Sequence, residues 1–181
     1  MLSGIILQPG AWDKTEGPVD DVLLADNTMR GVASPVTIWT RGDNPIKQVT
    51  VAGLNATGVY RSAFSVESWA EAPINEVVIR DAHIEFAGGG KAELGTHKVE
   101  GPGVDARPLP AWGLYARNVH RLLLEDVRFS LASEDQRPVV VADHVENLAF
   151  DHFTFPAGAT GSKNLVTNNV TNLQLRHTEF H

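Results

Sequence analysis

Val119-His120-Arg121-Leu122-Leu123-Leu124-Glu125-Asp126-Val127-Arg128-Phe129 is followed 26 residues on by Val145-Glu146-Asn147-Leu148-Ala149-Phe150-Asp151-His152-Phe153-Thr154-Phe155. After a further 25 residues comes Val170-Thr171-Asn172-Leu173-Gln174-Leu175-Arg176-His177-Thr178-Glu179-Phe180. Each stretch opens on an apolar anchor and is apolar again 3, 5 and 10 residues later. The same template fits upstream, from Val19 (Val22, Leu24, Met29), Ile46 (Val49, Val51, Ala56) and Ile74 (Val77, Ile79, Ile84). Positions two apart fall on one side of an extended strand. Seven residues after each anchor stand Asp26, Gly53, Asp81, Asp126, His152 and His177, a polar or turn-forming column suited to a bend after a short strand.

A second short strand precedes most anchors, as in Pro35-Val36-Thr37-Ile38, Ala63-Phe64-Ser65-Val66, Gly113-Leu114-Tyr115-Ala116 and Val139-Val140-Val141. Gly4-Ile5-Ile6-Leu7 is the same strand one repeat earlier. Tight corners follow at Arg117-Asn118, Asp143-His144 and Asn168-Asn169, where Asn tolerates left-handed backbone. A period near 26 without a helical pattern specifies an all-β chain, a right-handed parallel β-helix of about six to seven coils. A β-sandwich would use hairpins with Asn-Gly or Asp-Gly turns, and neither dipeptide occurs. The interval from Ile74 to Val119 is 45 residues, and its surplus marks 87–111 as an inserted loop, either functional or a flap packed over a sheet face. Residues 1–181 read as a single domain, truncated at its N-terminal end.

Composition narrows the function. The 22 acidic and 15 basic residues give a net charge of −7, which argues against nucleic acid as a partner. With no cysteine, disulfides, thiolate metal sites and Cys nucleophiles are excluded. No apolar run approaches the length of a membrane span, so no membrane partner is expected. The N-terminus lacks the basic and apolar regions of a signal peptide, so localisation stays unassigned.

Ser3 to Ile38 resembles the polygalacturonase family, glycoside hydrolase family 28. The residues that carry the resemblance are Gly4-Ile5-Ile6-Leu7, Gly17-Pro18-Val19-Asp20-Asp21-Val22 and Met29-Arg30-Gly31-Val32-Ala33-Ser34-Pro35-Val36-Thr37-Ile38. Later coils, such as Pro110-Ala111-Trp112-Gly113-Leu114-Tyr115-Ala116-Arg117-Asn118-Val119, resemble the C-terminal coils of bacterial members. The resemblance implies a pectin-lyase-like β-helix acting on pectic polysaccharide. The family's catalytic Asp, His, Arg and Lys motifs do not occur in this chain. Where the family has Arg and Lys in its "GIRIK" strand, this sequence has Ile6 and Gln8. The chain thus resembles the C-terminal half of such an enzyme without its acid/base machinery. It is expected to be a glycosidase fragment or subunit, or alternatively a non-catalytic carbohydrate-binding or structural module, with no catalytic residue assigned and no cofactor.

The residues singled out for substrate are aromatic. Trp12, Trp39 and Trp69 fall after the pre-anchor strand in three consecutive coils, where the connections are longer than in later coils. Stacked coils would put the three indoles on one edge, flanked by Asp13, Arg41, Glu67 and other charged groups. An indole stacks on a sugar ring while charged neighbours take hydroxyls or a uronate carboxylate. The expected binding set is therefore Trp12, Asp13, Trp39, Arg41, Glu67 and Trp69, with a polysaccharide or oligosaccharide as ligand. Asp20-Asp21 is a carboxylate pair, but the same column elsewhere carries assorted polar residues, so it reads as a solvated turn. His152 and His177 lack metal-motif spacing and read as a polar ladder above Asp126, with no metal expected. Exposed coil ends are expected to be covered, by homo-oligomerisation or by an N-terminal partner chain.

Overall fold

A computed structural model describes residues 3–12, 16–103, 106–156 and 163–180. Eleven strands run through them: β1 (Ile5–Leu7), β2 (Val22–Ala25), β3 (Thr28–Arg30), β4 (Val36–Thr40), β5 (Gln48–Ala52), β6 (Asn55–Val59), β7 (Phe64–Ser68), β8 (Ile74–Phe86), β9 (Leu114–Leu131), β10 (Val140–Asp151) and β11 (Leu165–Arg176). Every strand pairing among them is parallel, and each strand pairs with its counterpart one coil away. The chain is a parallel β-solenoid of about six turns. Among the described residues the helical content is one 3-10 turn, Ala92–Thr96. No helix is long and apolar enough to cross a membrane.

The apolar template is the stacking register itself. Val22, Val49, Val77, Leu122, Leu148 and Leu173 are opposed in successive coils, as are Leu24, Val51, Ile79, Leu124, Phe150 and Leu175. From Val22 and Leu24 through Leu148 and Phe150 these side chains point inward and fuse into one continuous core, whereas Leu173 and Leu175 of the last coil are exposed. In the later coils the core is aromatic: Phe129 meets Phe86 edge-on at 5.3 Å and Phe153 at 5.1 Å, and Trp112 caps Phe86 at 5.6 Å. Edge-to-face pairs of this kind add to the apolar burial that drives stacking.

The corners repeat as strictly. Asp26, Gly53, Asp81, Asp126, His152 and His177 all have φ between 48° and 63°, a column of left-handed residues that turns each coil from its second face to its third. Asn118, His144 and Asn169 form a second left-handed column with φ of 50–54°. A Cβ on Gly53 would stand 2.5 Å from Asp26 Oδ1 of the coil beside it, so glycine serves both the backbone conformation and the close approach. Asp20 of the Asp20-Asp21 pair accepts from Lys47 Nζ of the adjacent coil at 2.8 Å, and both side chains are about half exposed.

The described residues of loop 87–111 lie across the outer face formed by β4, β7 and β9 as a packed strap. Leu109 is buried there against Ala63 and Tyr115, with Val99 and Val141 beside them. At its start the Gly90 amide donates to Asp135 Oδ2 at 2.8 Å. Asp135 is in turn held by Arg137 at 2.7 Å, and Arg137 Nη1 donates to the Leu109 carbonyl at 3.2 Å. Burial pushes the Asp135 carboxyl up, but the Arg137 hydrogen bonds, the Arg137 charge and the Gly90 amide outweigh it and hold the group below its ordinary value.

Candidate functional site

On the outer face, the residue following the second inward side chain of β4, β7 and the first segments of β9, β10 and β11 forms one column. Trp39 opposes Glu67, Glu67 opposes Arg117, Arg117 opposes Asp143, and Asp143 opposes Asn168. Parallel pairing spaces these residues roughly 4.8 Å apart, so neighbouring side chains meet directly. Arg117 Nη1 donates to Asp143 Oδ2 at 2.7 Å, and Asn168 Nδ2 donates to Asp143 Oδ1 at 2.6 Å. The column is an outward ladder of alternating charge, and the strap closes its upstream end.

Glu67 is the buried centre of that end, with none of its side chain exposed. Its Oε2 accepts from Arg107 Nη2 of the strap at 2.6 Å and from Trp69 Nε1 at 2.9 Å. Burial raises the Glu67 carboxyl above its ordinary value, even against the opposing pull of Arg107, Trp69 and Ser65. The Tyr115 hydroxyl, also beneath the strap, is pushed up to about 12 by burial and by the Glu67 charge. Glu67 Oε1, Arg107 Nε, Arg117 Nε and Gln8 Oε1 are buried without a protein partner.

The structure distributes the six expected binding residues unevenly. Trp39, Glu67 and Trp69 do come together, with Arg41 beside them. Trp39 and Glu67 lie within β4 and β7 instead of in the connections that follow. The strands extend past their last inward apolar residue, which carries these side chains onto the sheet face. Trp39 is only 1% exposed, and its indole N–H donates to the Gly103 carbonyl of the strap at 2.9 Å. Its ring is therefore covered, not open at an edge. Trp69 is half-buried and lies under the Arg117 guanidinium, 4.5 Å from ring centroid to Cζ. Arg41 sits 5.9 Å from the Trp39 ring and ties down the first connection through bonds to the Gly10 and Ala11 carbonyls at 2.7 and 3.0 Å. Trp12, immediately after Ala11, is 74% exposed. Asp13 lies outside the described residues.

An open pocket of about 570 Å³ is formed where the connections after β4 and β7 lie side by side. Its walls include Pro18, Pro45, Ala70 and Ala72, and two carboxylates, Asp43 and Glu71, line it. Gly42 of the wall follows Arg41, and Ala70 follows Trp69. The pocket thus adjoins the covered tryptophan cluster on its solvent side. Its volume falls within the range of small-ligand sites, and an apolar wall with a few polar groups is their usual chemistry.

Arg107, Arg117, Asp143 and Asn168 were not among the expected site residues. Counting back from the anchors hides the column, because the connection between strand and anchor shortens in the later coils. Counting forward from the inward pair of each first-face strand aligns Trp39, Glu67, Arg117, Asp143 and Asn168. Arg107 carries no such signal, because the strap lies outside the repeat.

Comparisons of the chain with protein-family models, with curated proteins and with solved structures found no match in any of the three.

Proposed function

We propose that this chain is a non-catalytic carbohydrate-binding β-solenoid of the polygalacturonase-like kind, taking pectic or related saccharide at the loop edge. The observation that carries this reading is the 570 Å³ pocket between the β4 and β7 connections, lined by Asp43 and Glu71. Apolar walls accept the faces of a sugar ring, and the two carboxylates accept hydrogen bonds from its hydroxyls. The exposed Trp12 indole extends from the connection that Arg41 anchors beside this pocket and supplies a stacking surface.

Burial favours binding over hydrolysis as the role. A glycosidase acid needs a carboxyl with a raised pKa at the scissile bond. Burial raises the Glu67 carboxyl, but its Oε2 is tied to Arg107 and Trp69 beneath the strap, away from the pocket. In this reading the pocket carboxylates Asp43 and Glu71 serve as ligand acceptors. The hydrolase-subunit reading requires Asp43 and Glu71 to act as the carboxylate pair themselves.

Calorimetric titration with pectic oligosaccharides, alongside a reducing-sugar assay, tests the proposal. Wild type is expected to bind without cleaving, and Trp12→Ala or the pair Asp43→Asn with Glu71→Gln to weaken binding at least about tenfold. Absence of binding to any plant or bacterial polysaccharide overturns it. Cleavage that disappears in the double carboxylate variant establishes the hydrolase reading instead.

The solenoid also offers a place for a partner. Leu173 and Leu175 occupy core positions of the template yet are 41% and 44% exposed along the edge of β11. A further coil laid on that edge would bury them and complete the ladder.

A further inference from the structure

A second group of side chains stands at the other corner of the solenoid, away from the pocket and the strap. β10 ends on Asp151 and is followed by His152, and β11 ends on Arg176 and is followed by His177. Both histidines are left-handed, at φ of 50° and 48°, so they occupy the same corner one coil apart. Their rings stack with centroids 4.2 Å apart and planes 17° from parallel. Nδ1 of each ring lies 3.0 Å from the same oxygen, Asp151 Oδ1. Asp126 Oδ1, in the coil before, is 3.9 Å from His152 Nδ1.

We infer that Asp151, His152 and His177 form a binding site for a divalent transition-metal ion of the zinc class, with Asp126 as a further oxygen donor. The donor atoms of the three lie within 4.8 Å of one another. Zinc–nitrogen and zinc–oxygen bonds of about 2.0–2.2 Å in a tetrahedron set donor atoms about 3.3 Å apart, close to the 3.0 Å from each imidazole nitrogen to Asp151 Oδ1. Two nitrogens and carboxylate oxygen suit zinc, nickel or copper better than magnesium or calcium, which prefer all-oxygen sets. The two carboxylates match the charge of a divalent cation. Arg176 opposes Asp151 across the ladder and competes for that carboxylate, which moderates the affinity.

The site has a structural consequence. β11 is half-buried or exposed at every position, and its coil is held largely by its main-chain ladder to β10. A metal shared by Asp151, His152 and His177 ties the two coils together at the corner.

Titration of the full chain with zinc chloride by calorimetry, with amide hydrogen exchange on the same samples, tests this. Expected are one tight site, a loss of about tenfold or more in affinity in His152→Gln and in His177→Gln, and a smaller loss in Asp126→Asn. His144→Gln, at the other left-handed corner, is expected to leave affinity unchanged, and magnesium chloride to give no binding. Zinc is expected to slow exchange of the Leu165–Arg176 amides in wild type and not in His177→Gln. These side chains are exposed, so circular dichroism should find the variants folded. Failure of wild type to bind zinc, affinity unmoved in both histidine variants, or β11 exchange unchanged by zinc overturns the inference.

Discussion

Arg107 donates to Glu67 at 2.6 Å across 40 residues of sequence, and that contact joins the strap to the solenoid face. One partner has no exposed side-chain surface and the other is about a quarter exposed. The attraction therefore acts at low dielectric, but against a large desolvation penalty on the carboxylate.

The balance between those terms is measurable. The raised pKa of Glu67 means that the folded state binds its proton more tightly than the unfolded state, whose value is near 4.5. The resulting stability is fully present below that value and falls as pH rises through the folded pKa. Glu67→Gln is expected to flatten this part of the stability–pH curve while keeping an acceptor for Trp69 and Arg107. Glu67→Ala leaves two partly buried donors without their acceptor and is expected to destabilise by about 1–3 kcal/mol. Urea unfolding of the three proteins across the acid-to-neutral range reads both effects.

Asp135 has the opposite sign. Its folded pKa lies below the ordinary value of 3.8, so its contribution is present above that value and is lost as pH falls through the folded pKa. Asp135→Asn leaves the Arg137 charge buried beneath the strap and is expected to cost about 3–5 kcal/mol. Limited proteolysis should then cut within 87–111 at neutral pH, where wild type resists.

Gly53 tests the corner column. Its φ of 63° and its approach to Asp26 predict that Gly53→Ala destabilises by about 1–2 kcal/mol. Ala at an exposed right-handed position should be close to neutral. Thermal unfolding compares the two.

Tryptophan fluorescence tests the strap. Trp39 and Trp112 are 1% and 2% exposed, whereas Trp12 is 74% exposed. Iodide is expected to quench mainly Trp12, and Trp12→Phe to remove most of the quenchable emission. Breaking the strap with Asp135→Asn should open Trp39 to iodide as well.

The anchors Val19, Ile46, Ile74, Val119, Val145 and Val170 made the fold legible, because a solenoid buries the same position in every coil and so writes its period into the chain. The turn column of Asp26, Gly53, Asp81, Asp126, His152 and His177 was legible for the same reason: one backbone conformation recurs at one offset. That three tryptophans and Glu67 belong to neighbouring coils followed from the repeat as well. What the sequence left undetermined is which of these side chains meet solvent. Trp39 and Trp12 are the same residue type in adjacent coils, yet one is sealed and the other open. The difference comes from Gly103, Arg107 and Leu109, which are brought over β4 and β7 by an insertion with no period to read. Periodicity reports contacts between equivalent positions in stacked coils. Contacts between a coil and a segment outside the repeat depend on where that segment folds back, and only the tertiary structure decided that.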